Sequence, residues 1–279
     1  MRAEREFPTI PEWLRARQGD AVPARLRRFG SVLRDLEIDF DQASSPALVA
    51  KLLALCTRSE DGRPVQEGAM LDLPAGLQLE ALLALADLSD AQPFTWRFRC
   101  AAAQCRSESE FELTADELSE LADRSRNRET AQLEFEGRKL TLRRPTGRDQ
   151  AEWLESPDGA EPAAILRNLL VDPSWEELER HGLLFETIEG IVDEAMEEFD
   201  PLPAFEMQVV CPECGMSSTT APALTAAALQ RLVSAQEGLL DDVHRIALRY
   251  HWSEVDILDM PAWRRQGYLA RIEAAEAVQ

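Results

Sequence analysis

Four of the five cysteines in this 279-residue chain form two pairs. Cys100 and Cys105 have four residues between them, whereas Cys211 and Cys214 have two, within the sequence CPECG. Pairs at such spacing are typical of tight turns that present two thiolates to a metal ion, and two pairs complete a tetrahedral Zn²⁺ site. We therefore predict that all four cysteines bind a structural zinc ion, with no coordination position left for water or substrate.

Two other interpretations of these cysteines remain open. Cys211 and Cys214 could form a redox-active dithiol, although a strand rather than the start of a helix leads into the pair. The pairs could also be former metal knuckles that no longer bind a metal. Cys56 lies in the apolar run ALVAKLLALC, so we expect it to be a small buried hydrophobic residue. Zinc is favoured because clustered cysteines in a reducing compartment are more often ligands than disulfides.

Alternating apolar residues flank both pairs and predict the strands that position them. Phe94, Trp96 and Phe98 alternate with polar residues before the first pair, and Phe111 and Leu113 alternate after it. The sequence FEMQVV leads into the second pair in the same way. Each pair is therefore predicted at the tip of a hairpin. A shared zinc ion would join two hairpins that lie about a hundred residues apart in sequence.

The rest of the chain is dominated by helical patterns. Hydrophobic residues make up 45% of it, mainly Ala and Leu, and aromatic residues only 6%, which favours helices. The predicted fold class is α+β: mostly helical, with a small split zinc-ribbon-like antiparallel β module and a C-terminal helical cap. The predicted segments are residues 1–93 (an N-terminal arm and helices), 94–220 (the split β module, with an acidic helical insert at about 147–204) and 221–279 (the C-terminal helical cap).

Several local signals refine this outline. Ser45, Thr114 and Ser253 are predicted to cap helices. The runs AQLEFE and KLTLRRP predict a further hairpin, with a tight turn at Gly137 and Arg138. The runs AAILRNLLV and WEELERHGLLFETIEGIVDEAMEEF each predict a helix in the insert. The first forty residues fit either an arm on a partner subunit or a frayed terminus.

The formal charge of −21 is concentrated in one segment. Residues 150–210 contain about sixteen acidic residues and two Arg, whereas residues 1–34 contain eight Arg and four acidic residues. Phosphate contacts dominate affinity for nucleic acid, so this surface argues against DNA or RNA as the main partner. The acidic segment is either a solvated helix face or a docking surface for a basic partner.

The sequence contains no catalytic motif that we recognise. It has no Gly-rich phosphate loop, nucleophile elbow, metalloprotease helix or His cluster, so we predict that the protein is not an enzyme. No stretch reaches the roughly 18 uncharged apolar residues of a spanning helix, and the N-terminal sequence has no apolar signal core. We expect a cytoplasmic protein with no membrane segment.

Aromatic residues gather near the C-terminus of a chain that is otherwise poor in them. They either form the core of a helical cap or contact a partner. A helix-turn-helix is a further interpretation, which is weakened because about seven acidic residues oppose five Arg from residue 239 onward. The predicted partner-binding residues are Tyr250, Trp252, Trp263, Arg264, Arg265 and Tyr268.

The order of these features resembles the baseplate hub assembly proteins of contractile-tailed phages and related contractile injection systems. The shared features are a cysteine hairpin, the sequence LTLRRPTGRD, the CPECG knuckle and a tail reading YHWSEVDILDMPAWRRQGYL. The tail is the most specific, and the resemblance covers residues from about 94 to 275. It implies a structural or assembly component of a contractile-tail baseplate, with baseplate, spike or hub proteins as partners. Such a protein would occupy the bacterial cytoplasm or an assembled particle.

The leading alternative function is a zinc-ribbon adaptor in transcription or nucleic-acid handling. Both functions use the cysteines only to stabilise the fold, and they differ in the partner that the surface binds. The acidic charge favours a protein partner over nucleic acid.

Overall fold

The computed structural model describes residues 4–18, 22–42, 45–156, 161–181 and 185–277. Its helices are α1 Glu12–Gln18, α2 Pro46–Cys56, α3 Glu67–Leu71, α4 Ala75–Ser89, α5 Ala115–Asp123, α6 Gly147–Glu155, α7 Pro162–Leu169, α8 Trp175–Arg180, α9 Phe185–Phe199, α10 Leu224–Tyr250, α11 Glu254–Asp259 and α12 Ala262–Glu276, with 3-10 helices at Leu33–Glu37 and Phe40–Gln42. Its strands are β1 Glu4–Glu6, β2 Pro23–Arg27, β3 Thr57–Ser59, β4 Phe94–Arg99, β5 Glu108–Leu113, β6 Thr130–Phe135, β7 Arg138–Arg143, β8 Leu170–Asp172, β9 Met207–Val210 and β10 Ser217–Thr220. The fold is α+β with small antiparallel sheets and a C-terminal helical region, as predicted.

The main hydrophobic core is built around α4. Every residue of this helix except Asp87 is buried, as expected of a helix that is apolar around most of its circumference. Helices α2, α5 and α10 pack against it. Its buried carboxylate, Glu80, accepts hydrogen bonds at 2.8 Å from both terminal nitrogens of Arg126, so the charge is paired. The core also includes Phe94 of β4. The main cluster therefore contains residues from both sides of the domain boundary predicted between residues 93 and 94. The predicted domain boundaries themselves are not tested by this packing and stay a prediction.

The described part of the first forty residues belongs to this core. Strands β1, β2 and β3 form one antiparallel sheet, and Phe7, Leu26 and Phe29 are buried in the main cluster. A short ion pair of 2.6 Å between Arg27 and the buried Asp35 fixes the turn after β2. The expectation of an arm or a frayed terminus is therefore wrong. The strands are too short and too interrupted by Pro to show a clear period in the sequence.

A second hydrophobic cluster holds the segment between the two cysteine hairpins. It joins the sheet of β6, β7 and β8 to α7, α8 and α9. The turn between β6 and β7 lies at Glu136 and Gly137, both with positive φ (51° and 75°), so the predicted turn at Gly137 and Arg138 is displaced by one residue. Positive φ at both central residues is the conformation that a two-residue hairpin loop requires.

The helices of the insert are shorter than the sequence predicts. The predicted helix AAILRNLLV ends at Leu169, because residues Leu170–Asp172 pair with β7 as the strand β8. The run from Trp175 to Phe199 forms α8 and α9, and residues 182–184 between them lie outside the described residues. Apolar residues in a three-residue strand cannot be distinguished by period from the end of a helix, which is why β8 was missed.

A buried ion pair joins the insert to the main core. Arg144, just after β7, donates to Asp200 at 2.9 Å, and their side chains are only 8% and 6% exposed. Asp200 also accepts a hydrogen bond from the Gly76 amide at the start of α4. Burial raises the pKa of Asp200 to about 6, even though the charge of Arg144 opposes the shift. The guanidinium of Arg144 lies over the Phe199 ring, 4.1 Å from its centroid.

The C-terminal region is organised by α10. Residues at its N-terminal end contribute to the main core, and residues at its C-terminal end form a third cluster with α11 and α12. The predicted caps are confirmed: the side chains of Ser45, Thr114 and Ser253 each accept a backbone hydrogen bond from the following helix. Among the described helices, none combines the length and apolarity needed to cross a bilayer.

Candidate metal centre

Both cysteine pairs lie at the tips of hairpins, as predicted. In the first hairpin, β4 and β5 are paired over six residues from Phe94↔Leu113 to Arg99↔Glu108. One face carries stacked rings, with Trp96 5.6 Å from Phe111 between centroids. The opposite face carries cross-strand ion pairs such as Arg97 with Glu110 at 2.7 Å. Aromatic and charged residues on alternate sides therefore specify the register that brings the first cysteine pair to the tip.

The second knuckle has a tight backbone turn. The amide of Cys211 donates to the carbonyl of Met216, and the amide of Gly215 donates back to the carbonyl of Cys211, both at 2.9 Å. Gly215 has φ 71°, in the left-handed region that glycine adopts without steric cost. Strands β9 and β10 continue the hairpin in register from Val210↔Ser217. The sequence CPECG thus specifies the turn locally.

The first knuckle closes in the same way despite its two additional residues. The amide of Cys100 donates to the carbonyl of Ser107, which, like Met216, lies two residues after the second cysteine. The amide of Arg106 donates to the carbonyl of Ala102, which matches the Gly215 bond. Arg106 has φ 50°, so it occupies the left-handed position that glycine fills in the other knuckle. The four-residue spacing is therefore accommodated before the turn begins.

The four sulfur atoms of these pairs lie close together. Their ligand atoms are all within 4.8 Å of one another, with Cys100 Sγ 3.5 Å from Cys214 Sγ and Cys105 Sγ 3.8 Å from Cys211 Sγ. A regular tetrahedron of sulfurs around zinc, with Zn–S bonds of about 2.3 Å, has edges of about 3.8 Å. The cysteines are free thiols rather than disulfides. The cluster can therefore hold a metal ion, and each hairpin contributes two of the ligands.

Ser107 is a neighbour of the cluster that sequence reasoning missed. Its hydroxyl lies 3.1 Å from Cys211 Sγ and 3.4 Å from Cys105 Sγ. This hydroxyl is the largest influence on both thiols: it lowers the pKa of Cys211 to about 6 and also lowers that of Cys105. Although a backbone amide lowers the pKa of Cys214, hydrogen bonds with Cys100 and the other thiols raise it to about 12. The hydroxyl of Ser107 therefore favours the thiolate form of Cys211, and a bound cation would displace the remaining thiol protons of the cluster.

The fifth cysteine is separate from this cluster. Cys56 is fully buried at the end of α2, as predicted. Burial raises the pKa of its thiol to about 12, despite the opposing charge of Arg27. A thiol that stays protonated in the core is a packing residue and not a ligand.

Three of the predicted partner-binding aromatics form a compact ring cluster. The ring centroids of Tyr250, Trp252 and Tyr268 are 4.8 to 5.2 Å apart, and the rings pack against the third hydrophobic cluster. Each side chain is half-buried. These residues therefore join the end of α10 to α12 and leave only their edges on the surface.

The remaining three predicted residues divide between the surface and the interior. Trp263 is 75% exposed, and Arg264 is exposed with its guanidinium 5.7 Å from the ring centroid of Tyr268. Arg265 is only 4% exposed. It donates hydrogen bonds to the carbonyls of Leu258, Met260 and Ser31. The assignment of Arg265 to a partner surface is therefore corrected: this side chain joins the cap to the N-terminal region.

Comparisons of the chain with models of protein families, with curated proteins and with solved structures found no match.

Proposed function

We propose that this protein is a non-enzymatic assembly protein that acts through protein–protein contacts and uses Zn²⁺ as a structural clasp. The four-thiol cluster carries the proposal. Four thiolates complete the tetrahedral shell of zinc, so the metal would connect two hairpins and bind no substrate. A tetrahedral set of soft sulfur ligands suits zinc or iron and not magnesium or calcium.

Within this class, the sequence resemblance supports a role in a contractile-tail or injection-system baseplate. The tail motif that carries the resemblance forms the end of α10, α11 and most of α12. It presents Trp263 to solvent on a helix, and a large exposed aromatic side chain is a typical anchor of a protein interface. The proposed partners are baseplate, spike or hub proteins, and the protein would help to build the hub or occupy it.

A zinc-ribbon adaptor for nucleic acid is the alternative class. The formal charge of −21 opposes phosphate binding, and the buried position of Arg265 removes one of the two arginines that a helix-turn-helix would use. Electrophoretic mobility with duplex and single-stranded DNA tests this alternative. Retention of DNA at physiological salt would contradict the assembly proposal.

Purification of the tagged chain from particle-producing cells tests the proposal directly. Mass spectrometry of co-purifying chains is expected to find spike, tail-tube or wedge proteins, and metal analysis is expected to find about one zinc ion per chain. Absence of particle proteins at every stage of assembly would overturn the role, and iron in place of zinc would overturn the metal assignment.

Substitution at Trp263 tests the interface. Trp263→Ala is expected to reduce incorporation into particles without changing the melting temperature, because this side chain is on the surface. Val171→Ala, which shortens another exposed apolar residue, is the matched control and should incorporate normally. Equal loss of folding and incorporation in Trp263→Ala would instead assign this residue to the core.

A further inference from the structure

A groove of about 820 Å³ lies between the acidic insert and the main core. Its walls come from α2, α4, α6, α7, α9 and the first turn of α10, together with the loops on either side of the second cysteine hairpin. This volume is large enough for several apolar side chains of a ligand. The zinc cluster does not contribute to its lining.

Three large apolar side chains of this groove lie outside the hydrophobic clusters, with Trp153 and Ile165 half-buried and Leu154 exposed. Trp153, Leu154 and Ile165 line it, yet none belongs to any of the three hydrophobic clusters of the described residues. Leu154 is 68% exposed on the last turn of α6. Adjacent exposed apolar residues are a feature of binding surfaces in proteins that remain in solution.

The charge around the groove is of one sign. Glu197 and Glu206 line it, both are exposed, and none of the described lining residues is Lys or Arg. Among the described residues, neither glutamate's side chain has a hydrogen-bond or ion-pair partner. The neighbouring segment 150–210 carries about sixteen acidic residues against two Arg. An occupant with positive charges at its edges would therefore be electrostatically complementary.

The walls favour a helix over an extended strand as the occupant. Within the described part of the chain, no lining residue belongs to a β-strand, so these walls offer no free strand edge for a peptide to pair with. Pro46, Pro203 and Pro222 also line it, and proline has no amide hydrogen to donate. Recognition here would depend on side chains packed between helices, as in complexes where an amphipathic helix lies in a groove.

We infer that this groove binds an amphipathic helix of a partner protein, with an apolar face that contacts Trp153, Leu154 and Ile165 and with Lys or Arg near Glu197 and Glu206. This inference rests on the proposed function, since it assigns one surface for the contacts of an assembly protein.

A designed peptide of Leu and Lys provides the probe. A fluorescein-labelled helix of about 14 residues, or about four turns, places Leu on one face and Lys on the other. Fluorescence anisotropy with the full-length zinc-loaded protein is expected to show saturable binding that weakens at high salt. A peptide with Glu in place of Lys, and one with Ala in place of Leu, are both expected to bind at least about tenfold more weakly.

Two matched variants separate groove binding from general attraction to an acidic protein. Leu154→Glu places a charge in the groove and is expected to weaken peptide binding about tenfold, although it makes the protein more negative. Leu248→Glu adds the same charge at a residue that is 70% exposed on α10, outside the groove, and is expected not to weaken it. Both residues are exposed, so both variants should fold.

Three results would overturn the inference: no saturable binding, equal or tighter binding by Leu154→Glu, or preference for the Glu peptide. A dimer that Leu154→Glu dissociates would instead assign the groove to a second copy of this chain. The proposed function is tested separately. If Leu154→Glu still co-purifies with particle proteins at the wild-type level, the groove is not their binding site and the assembly role is unaffected.

Discussion

Removal of the metal is the perturbation that tests the clasp most directly. The two hairpins are distant in sequence and form separate two-stranded sheets. The four cysteines at their tips are therefore where one hairpin is joined to the other. A chelator that extracts the ion is expected to destabilise the protein, because the four thiolates then lose the metal ion that they share and regain protons.

The magnitude follows from the length of chain that the metal closes. Cys105 and Cys211 are 106 positions apart, and Cys100 and Cys214 are 114 apart. Closing a loop of that length costs about 5 kcal/mol of conformational entropy, and the free energy of metal binding in the folded protein offsets that cost. A loss of that free energy corresponds to a fall in melting temperature of about 8–9 °C for a chain of 279 residues, since its unfolding entropy is about 0.6 kcal/mol/K.

The assay is calorimetry with and without chelator, combined with a dye that measures released zinc. Cys105→Ser removes one ligand from the weaker knuckle, so this variant should melt near the temperature of the chelated wild type and respond little to chelator. Cys56→Ala is the control, because it removes a cysteine outside the cluster and should keep both the metal and the chelator response. A wild-type protein that contains no metal, or whose melting temperature chelator leaves unchanged, would refute the reasoning.

Four further predictions concern the backbone and buried charges. Arg106→Gly is expected to raise the free energy of unfolding by about 1 kcal/mol in urea, because Arg106 has φ 50° and a left-handed conformation is costly for residues other than glycine. A Cβ at Gly76 would overlap Asp200 Oδ1, so Gly76→Ala is expected to displace that carboxylate from its buried ion pair and cost about 3–5 kcal/mol. Burial raises the folded-state pKa of Asp200 from 3.8 to about 6, so the folded protein binds this proton more tightly than the unfolded chain. The stabilisation that this bound proton gives is therefore fully present below about pH 4 and is lost as the pH rises through about 6. Calorimetry is expected to show the free energy of unfolding fall by about 3 kcal/mol over this range. Arg265→Ala removes another buried charge and is expected to lower the free energy of unfolding by about 2–4 kcal/mol, because three backbone carbonyls lose a charged hydrogen-bond donor.

Three of these predictions have a control within the chain. Gly190→Ala, at a helical position with open space around it, should stabilise by about 0.5–1 kcal/mol, and a similar gain from Gly76→Ala would show that the overlap is relieved elsewhere. Asp200→Asn should abolish the difference between pH 4 and 6; persistence of that difference would assign it to other groups. Arg264→Ala, at an exposed residue, should change stability by less than about 0.5 kcal/mol.

The features that could be predicted from sequence are those whose signals are local. Alternation around Phe94, Trp96 and Phe98 specifies a strand because successive side chains of a strand point to opposite faces. The sequence CPECG specifies a knuckle because its turn needs a glycine with positive φ at Gly215. A Ser or Thr before an apolar run marks a helix start, which is why the caps at Ser45, Thr114 and Ser253 were recognised.

The features that could not be predicted depend on contacts between distant segments. The short strands β1, β2, β3 and β8 form only because they have partners in the tertiary structure, and a three-residue strand has too few alternations to be recognised alone. Ser107 could have been considered, since it lies two residues after Cys105. Its distance to Cys211, however, depends on how the two hairpins meet.

The sequence by itself determined the four candidate metal ligands, the strands that present them and the excess of acidic charge. Only the tertiary structure decided that the two knuckles meet, because loop closure over about a hundred residues depends on the packing of everything between them. It also decided which of the adjacent residues Arg264 and Arg265 is buried. Consecutive side chains on a helix point about 100° apart, and the face that lies against the core is set by the neighbouring elements and not by residue type.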